Sequence, residues 1–232
     1  MSISKYKIKS PADGSVLGEV RYFEEKNIPI IVEKARKAFN SWRFTAPHER
    51  AKILKDASTK LISKKNELET LHSKESGKIL IQSQKEILGA ANLLEENSNL
   101  GKFDSGKIAP TGALPNGERD LTIVERVPLG VVVCVIPFNF PIELTFEKAA
   151  AAIVAGNVVI LKPPPQNPLA TIMAAKIFID SGLPKDVLQV VLGTNKFSSE
   201  LCSHPQIDAV SLTGSPKAGI SLAESTAKYL RL

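Results

Sequence analysis

The sequence predicts an α/β protein built on a doubly wound, mainly parallel sheet, with an N-terminal helical region and an extended strand excursion before it. Three observations predict it. From Gly130 onward, short apolar runs rich in β-branched residues alternate four times with helical stretches, as expected of strands covered on both faces by crossover helices. Upstream, residues 28–103 place apolar residues at i, i+3 and i+4, the spacing of amphipathic helices. Between these regions, residues 104–128 are rich in glycine and proline and end in an alternating apolar-polar run.

The elements follow in order. Residues 6–22 read as extended pieces around the turn Pro11-Ala12-Asp13-Gly14, a hairpin signal. In the helical region Ile28, Ile31, Val32, Ala35 and Phe39 share one face, and Ile53, Leu54, Ala57, Leu61 and Ile62 form a second stripe. Ile87, Leu88, Ala91 and Leu94 form a third, and Gly77 and Gly101 are expected to stop helices. Leu121–Val127 reads as an exposed strand. Val131–Ile136 is then a buried strand, followed by a helix from about Ile142 that ends at Gly156. Val158–Leu161, a helix from Leu169 to Gly182, Val187–Leu192, a short helix over Phe197–Ser203, Ile207–Leu212 and a last helix after Ser215 complete the alternation. The expected organisation is therefore a hairpin and helical part over 1–103, an extended arm over 104–129, and a Rossmann-like part over 130–232.

Composition bounds the function. Of 232 residues, 43% are hydrophobic and 23% charged, which suits a packed globular chain. No apolar run reaches the roughly 18–20 residues of a membrane span, and the start MSISKYKIKS lacks the apolar core of a signal peptide. Cys134 and Cys202 are too few for a disulfide framework or a metal cage. A cytoplasmic protein is expected, with no membrane partner. The net charge of +6 comes from dispersed lysines without interleaved aromatic residues, a solvated surface and not a nucleic-acid interface.

In an open α/β sheet, ligands bind outside the carboxyl ends of the strands. The loops there hold the unusual residues: Pro137-Phe138-Asn139-Phe140-Pro141, then Lys162-Pro163-Pro164-Pro165-Gln166-Asn167-Pro168, Gly193, and Thr213-Gly214-Ser215-Pro216-Lys217-Ala218-Gly219. A lysine, a side-chain amide and a Gly-Ser helix start at one sheet edge suit a phosphate-bearing ligand. No G-x-G-x-x-G fingerprint is present. By residue type alone, Lys162 also reads as an exposed lysine after a strand and Asn139 as a turn residue. His48, His72 and His204 share no ligand spacing and read as capping or surface residues, so no metal is expected. Glu143 and Glu147, one helical turn apart, read as a solvated or ion-paired helix face, and Trp42 as a packing anchor.

Taken together, Pro128-Leu129-Gly130-Val131-Val132, the PFNFP string, Ala155-Gly156-Asn157-Val158-Val159-Ile160-Leu161-Lys162-Pro163, Gly182-Leu183-Pro184, His204-Pro205 and Leu212-Thr213-Gly214-Ser215 resemble the aldehyde dehydrogenase superfamily in order and spacing. Phe39-Asn40-Ser41-Trp42-Arg43, Arg50 and Glu75-Ser76-Gly77-Lys78 extend the resemblance upstream. It implies oxidation of an aldehyde to a carboxylic acid with NAD or NADP, through a cysteine thioester, in a homo-oligomeric enzyme. It implies that Asn139 donates to the oxyanion, that Ile136, Pro137 and Phe138 line the nicotinamide side, and that Lys162 bonds the adenosine ribose. Ser215, after Gly214, would hold the pyrophosphate, while Gly193 and Gly219 would allow close approach.

Two departures matter. Many NAD-preferring members carry a glutamate three residues after the lysine, where this chain has Pro165; less repulsion of a 2′-phosphate is expected there, which favours NADP. The proline-rich loop also resembles non-phosphorylating glyceraldehyde-3-phosphate dehydrogenases, and Phe138 stands where tryptophan is common. Second, the family's general-base glutamate and nucleophilic cysteine lie beyond the span of these residues, which end at Leu232 about where the next strand is expected. The expectation is an incomplete aldehyde dehydrogenase fold, inactive alone and prone to aggregate. Alternative readings are a non-catalytic nucleotide-binding or assembly module, and an acyl-phosphate or acyl-CoA reductase branch of the same superfold.

Overall fold

The computed structural model describes residues 4–103, 106–109, 112 and 120–229. Most of the glycine- and proline-rich part of the expected arm, and the last residues to Leu232, lie outside that set.

The N-terminal hairpin forms as expected. β1 (Ser4–Lys9) pairs antiparallel with β2 (Val16–Tyr22), and the register shifts between Ile8 and Lys9. Between the strands, Asp13 Oδ1 accepts from Ser15 N at 3.0 Å, an Asx arrangement that favours a tight turn. Ile8 and Val20 turn inward and form a small cluster with Leu192.

Four helices follow: α1 (Ile28–Trp42), α2 (Pro47–Ser63), α3 (Lys65–Ser76) and α4 (Leu80–Phe103). The first stripe is buried throughout, from Ile28 to Phe39. The second and third are buried at Leu54, Ala57, Leu61, Ile87, Ala91 and Leu94, but Ile62 and Leu88 face solvent. Trp42 is an anchor: it is 2% exposed and its indole N–H donates to Ile153 O at 3.3 Å. Gly77 ends α3 in the left-handed region (φ 76°), as a helix stop should. Gly101 does not end a helix; it lies inside α4. A Cβ there would sit 2.2 Å from Val154 Cγ2 of the next helix. This glycine is a close-approach point between helices.

β3 (Lys107–Ala109) and β4 (Thr122–Val124) pair antiparallel as an exposed two-stranded ribbon. The remaining elements alternate: β5 (Val131–Val135), α5 (Pro141–Val154), β6 (Val158–Lys162), α6 (Pro168–Asp180), β7 (Leu188–Val190), α7 (Asn195–Cys202), β8 (Ala209–Leu212) and α8 (Pro216–Thr226), with a short 3-10 turn at Ala227–Tyr229. Proline near the start of α1, α2, α5, α6 and α8 suits a position whose N–H would be unpaired anyway.

The four strands from β5 to β8 form one parallel sheet in the order β7-β6-β5-β8. The chain builds outward from β5 to β7, then crosses back to lay β8 on the other side of β5. Right-handed crossovers then place α5 and α6 on one face and α7 on the other. α5 packs on β5 and β6 with α2 and α4 outside it, while α1 packs on β5, β6 and β7 beside α7. Every residue of β6 and nearly all of β5 is buried, which is why both read as unbroken apolar runs. The point where strand order reverses lies between the carboxyl ends of β5 and β8, where such sheets bind ligands.

Candidate functional site

Backbone register brings the predicted loops to one level. Val135 is the partner of both Lys162 and Leu212. Just beyond, Ile136 N donates to Lys162 O at 3.0 Å, Thr213 N to Val135 O at 3.3 Å, and Val191 N to Leu161 O at 2.9 Å. All four loops therefore leave the sheet along one edge.

On the β5 loop, Ile136 is buried, Pro137 half-buried, and Phe138 is 61% exposed. Asn139 is exposed; its Oδ1 accepts from Phe140 N at 3.1 Å, and its amide nitrogen has no partner among the described residues. It is free to donate outward.

Lys162 is 6% exposed and carries no ion pair among the described residues. Burial pushes its ammonium below the ordinary lysine value of 10.5, a trend that nearby Cys202 opposes. The chain that follows, through half-buried Pro165 to Asn167, contains no carboxylate. A buried cation without a counter-ion favours an anionic ligand.

Of the four helices that begin along this edge, α5 and α6 are capped by carboxylates from the helical region. Glu86 accepts from Ile142 N at 2.8 Å and Glu143 N at 3.4 Å; Glu75 accepts from Leu169 N at 2.6 Å and Ala170 N at 2.9 Å. Those N-termini already hold negative charge. At α8, Ser215 caps its own helix by accepting from Ala218 N at 3.3 Å, and the first turn carries no acidic residue. Ser215 and Gly214 are exposed, so this helix start remains open to an anion.

Gly219 has open space around its Cα, with nothing within 4 Å of a built Cβ. Gly193 has a different local reason: a Cβ there would meet Phe197 Cδ1 at 2.3 Å. Its packing against α7 requires glycine whether or not a ligand lies nearby.

Other readings change. His72 is neither a cap nor a surface residue: it is fully buried, with Nε2 at 2.8 Å from Glu86 Oε2. The described residues contain no metal-binding group of three or more acidic, histidine or cysteine side chains. Glu143 is only half-buried; burial, with Glu86 and Glu147 nearby, raises its carboxyl above the ordinary range. Both cysteines are buried, and burial pushes the Cys134 thiol up to about 12, so it is not a ready nucleophile.

Residue-type reasoning missed Glu75, Glu86 and Asn167. Glu75 lay inside the Glu75-Ser76-Gly77-Lys78 string without a role of its own. Glu86 gave no signal, since a glutamate beside an apolar stripe usually faces water. Asn167 sat among prolines as an apparent turn residue; it is 3% exposed and its amide donates to Phe138 O at 2.9 Å, tying two loops together.

Comparison with known proteins agrees with this geometry. A family model described as the aldehyde dehydrogenase family matches residues 1–232. The 4-trimethylaminobutyraldehyde dehydrogenase of Pongo abelii is 30% identical over 221 residues, covering 95% of this chain and 44% of the relative. The NADP-dependent glyceraldehyde-3-phosphate dehydrogenase of Bacillus halodurans, solved with NADP, is 28% identical with a TM-score of 0.93 over 96% of this chain and 47% of that one. An NAD-dependent benzaldehyde dehydrogenase from Corynebacterium glutamicum is 28% identical with a TM-score of 0.89 over 96% of this chain and 48% of that one. The chain thus spans about half the length of the relatives it matches. With the family model covering every residue and the same parallel sheet shared with solved members, the chain belongs to the aldehyde dehydrogenase family.

Proposed function

We propose that this chain carries the coenzyme-binding portion of an NAD(P)-dependent aldehyde dehydrogenase, with NADP favoured over NAD. One observation carries the reading: Lys162, buried and without a carboxylate partner among the described residues, ends β6 at the same sheet edge from which β8 leads into an open helix N-terminus, with β5 between them. A cation and an open helix start at one edge fit the charges of a phosphorylated dinucleotide. The absence of a carboxylate at Pro165 favours a 2′-phosphate there. Relatives named for NADP and for NAD both share the fold.

In this reading Lys162 binds the adenosine ribose and its phosphate, Ser215 and the backbone after Gly214 hold the pyrophosphate, and Ile136, Pro137 and Phe138 border the nicotinamide half. Gly193 in its loop and Gly219 in the first turns of α8 allow close approach of the adenine half. A dinucleotide held by these residues would supply the hydride acceptor of the reaction. Asn139 donates its free amide to the oxygen on which negative charge develops, a contact that strengthens toward the transition state. The parent reaction converts an aldehyde to a carboxylic acid through a cysteine thioester. With Cys134 and Cys202 both buried, these residues alone are expected to bind coenzyme without oxidising an aldehyde. A homo-oligomeric, cytoplasmic enzyme without a nucleic-acid partner completes the proposal, with residues 104–129 as the assembly arm. No described helix is long and apolar enough to cross a membrane.

Thermal unfolding of the 232-residue chain with NADP or NAD at equal concentration tests the reading. NADP should raise the midpoint more than NAD; saturation at a hundredfold over Kd stabilises by about 2.7 kcal/mol. A larger shift with NAD would overturn the NADP preference, and no shift with either would overturn the coenzyme site.

A further inference from the structure

We propose that Glu75 and Glu86 are a pair of positioning residues that hold the two halves of the coenzyme cleft separately, Glu75 the adenosine-side loop and Glu86 the nicotinamide-side loop. The inference rests on the coenzyme reading above and assigns roles to residues outside the four loops.

The local structure of α5 and α6 makes the case. A helix start leaves several backbone N–H groups unpaired, and the residue just before the helix usually supplies the acceptor. Neither helix does so here: Phe140 before α5 and Asn167 before α6 make no side-chain cap. The acceptors come instead from distant helices, Glu75 near the end of α3 and Glu86 within α4. Glu75 is 3% exposed and meets Leu169 N with one oxygen and Ala170 N with the other. This two-point contact fixes where α6 begins, hence where the loop carrying Lys162 must close. Relieved of capping, Asn167 donates to Phe138 O and links the two loops.

Glu86 divides its oxygens differently. Oε1 accepts from Ile142 N and Glu143 N at the start of α5, while Oε2 faces His72 Nε2 and Lys78 Nζ. The Lys78 ammonium also lies 3.9 Å from the centre of the Phe140 ring. Asn139 is therefore followed by residues tied to one buried carboxylate, although its own side chain is exposed. A carboxylate bonded to backbone N–H groups is both stronger and more directional than a neutral acceptor. Residues held this way can place a binding group within the small tolerance that recognition demands.

A purely structural role would loosen the fold and weaken all ligands alike; separate positioning roles predict a split. Calorimetric titration of the full chain with adenosine 2′,5′-bisphosphate and with NADP, beside amide exchange read by mass spectrometry, distinguishes them. Glu75→Gln should weaken the bisphosphate about tenfold, with faster exchange confined to residues 163–170. Glu86→Gln should leave the bisphosphate within about twofold, weaken NADP about tenfold, and speed exchange over 137–143. Glu75→Asp and Glu86→Asp, which keep the charge but shorten the reach, should give the same split at smaller amplitude and serve if a glutamine variant does not fold. Because the bisphosphate is part of NADP, Glu75→Gln should weaken both ligands alike; a bisphosphate loss in Glu86→Gln equal to its NADP loss, or unchanged affinities in folded variants, would overturn the positioning roles while leaving the coenzyme site standing. Failure of the unsubstituted chain to bind either ligand would remove the coenzyme reading and this inference with it.

Discussion

At the scale of single residues, Lys162 concentrates the electrostatics. Its depressed proton affinity gives a signed prediction. The unfolded chain keeps the lysine proton up to the ordinary value of 10.5, whereas the folded chain releases it earlier. Folded stability should therefore rise with pH between those two values, because the unfolded state binds more protons there. NADP affinity should fall over the same interval, as the cation that attracts phosphate is lost. Lys162→Met should weaken NADP by about 10- to 100-fold, the worth of one charge-assisted hydrogen bond, and should flatten both pH dependences. Titrations at about pH 7 and pH 10 on the two proteins, with urea midpoints alongside, check this; a pH-independent affinity in the unsubstituted chain would overturn it. Lys162, Asn139 and Ser215 stood out as candidates because Lys162 ends a strand and the other two follow one, all beside loops of unusual composition. Glu75, Glu86 and His72 were not. Each lies on a helix whose sequence shows only a polar residue near an apolar stripe, and the partner that gives it a role is from 14 to 95 residues away in the chain.

At the scale of elements, periodicity placed the helices and strands, but it could not say which glycine ends a helix and which lets two helices touch. Gly77 and Gly101 look alike in sequence; only Gly77 has a positive φ, while Gly101 sits against Val154 in the next helix. Gly101 also differs in sign of substitution from an ordinary glycine within a helix. In an exposed helix interior, glycine to alanine stabilises by about 1 kcal/mol. At Gly101 the added methyl would fall 2.2 Å from Val154 Cγ2, and a β-branched side chain has few rotamers to escape into. Gly101→Ala is expected to destabilise by about 1–3 kcal/mol, as overpacking does, read as a lower urea midpoint. Adding Val154→Ala should return most of the loss, since the two sites share one contact. A more stable Gly101→Ala protein would show that α4 and α5 are not held at this spacing. The same limit explains Ile62 and Leu88. Each fits a stripe by spacing, yet each lies at its margin and faces water, because an apolar stripe is wider than the contact that buries it.

At the scale of the whole molecule, two strand surfaces stand uncovered among the described residues. The ribbon of β3 and β4 exposes Ile108 by 73% and Ile123 by 65%, and Leu121 and Val127 beside it are 71% and 70% exposed. The main sheet ends at β8, whose only strand partner among the described residues is β5. A two-stranded ribbon is marginal alone in water, and an unpaired sheet edge is a template for another chain. Alternation anticipated an exposed strand over Leu121–Val127, of which Thr122–Val124 is strand, but not its partner β3; the glycine- and proline-rich stretch between β3 and β4 lies largely outside the described residues. The chain as 232 residues should therefore associate as its concentration rises, and the ribbon, with its larger apolar exposure, should dominate. Light scattering with size separation should show growing particles for the unsubstituted chain. Ile123→Lys, which places a charge in the middle of β4, should shift it toward monomer, since charged residues on exposed strands oppose such pairing. NADP at saturation should reduce association through the β8 edge by ordering the loop that follows it, but leave association through the ribbon unchanged. A monodisperse monomer at every concentration would show that neither surface seeks a partner. Association that ignores Ile123→Lys but yields to NADP would place the contact at the β8 edge.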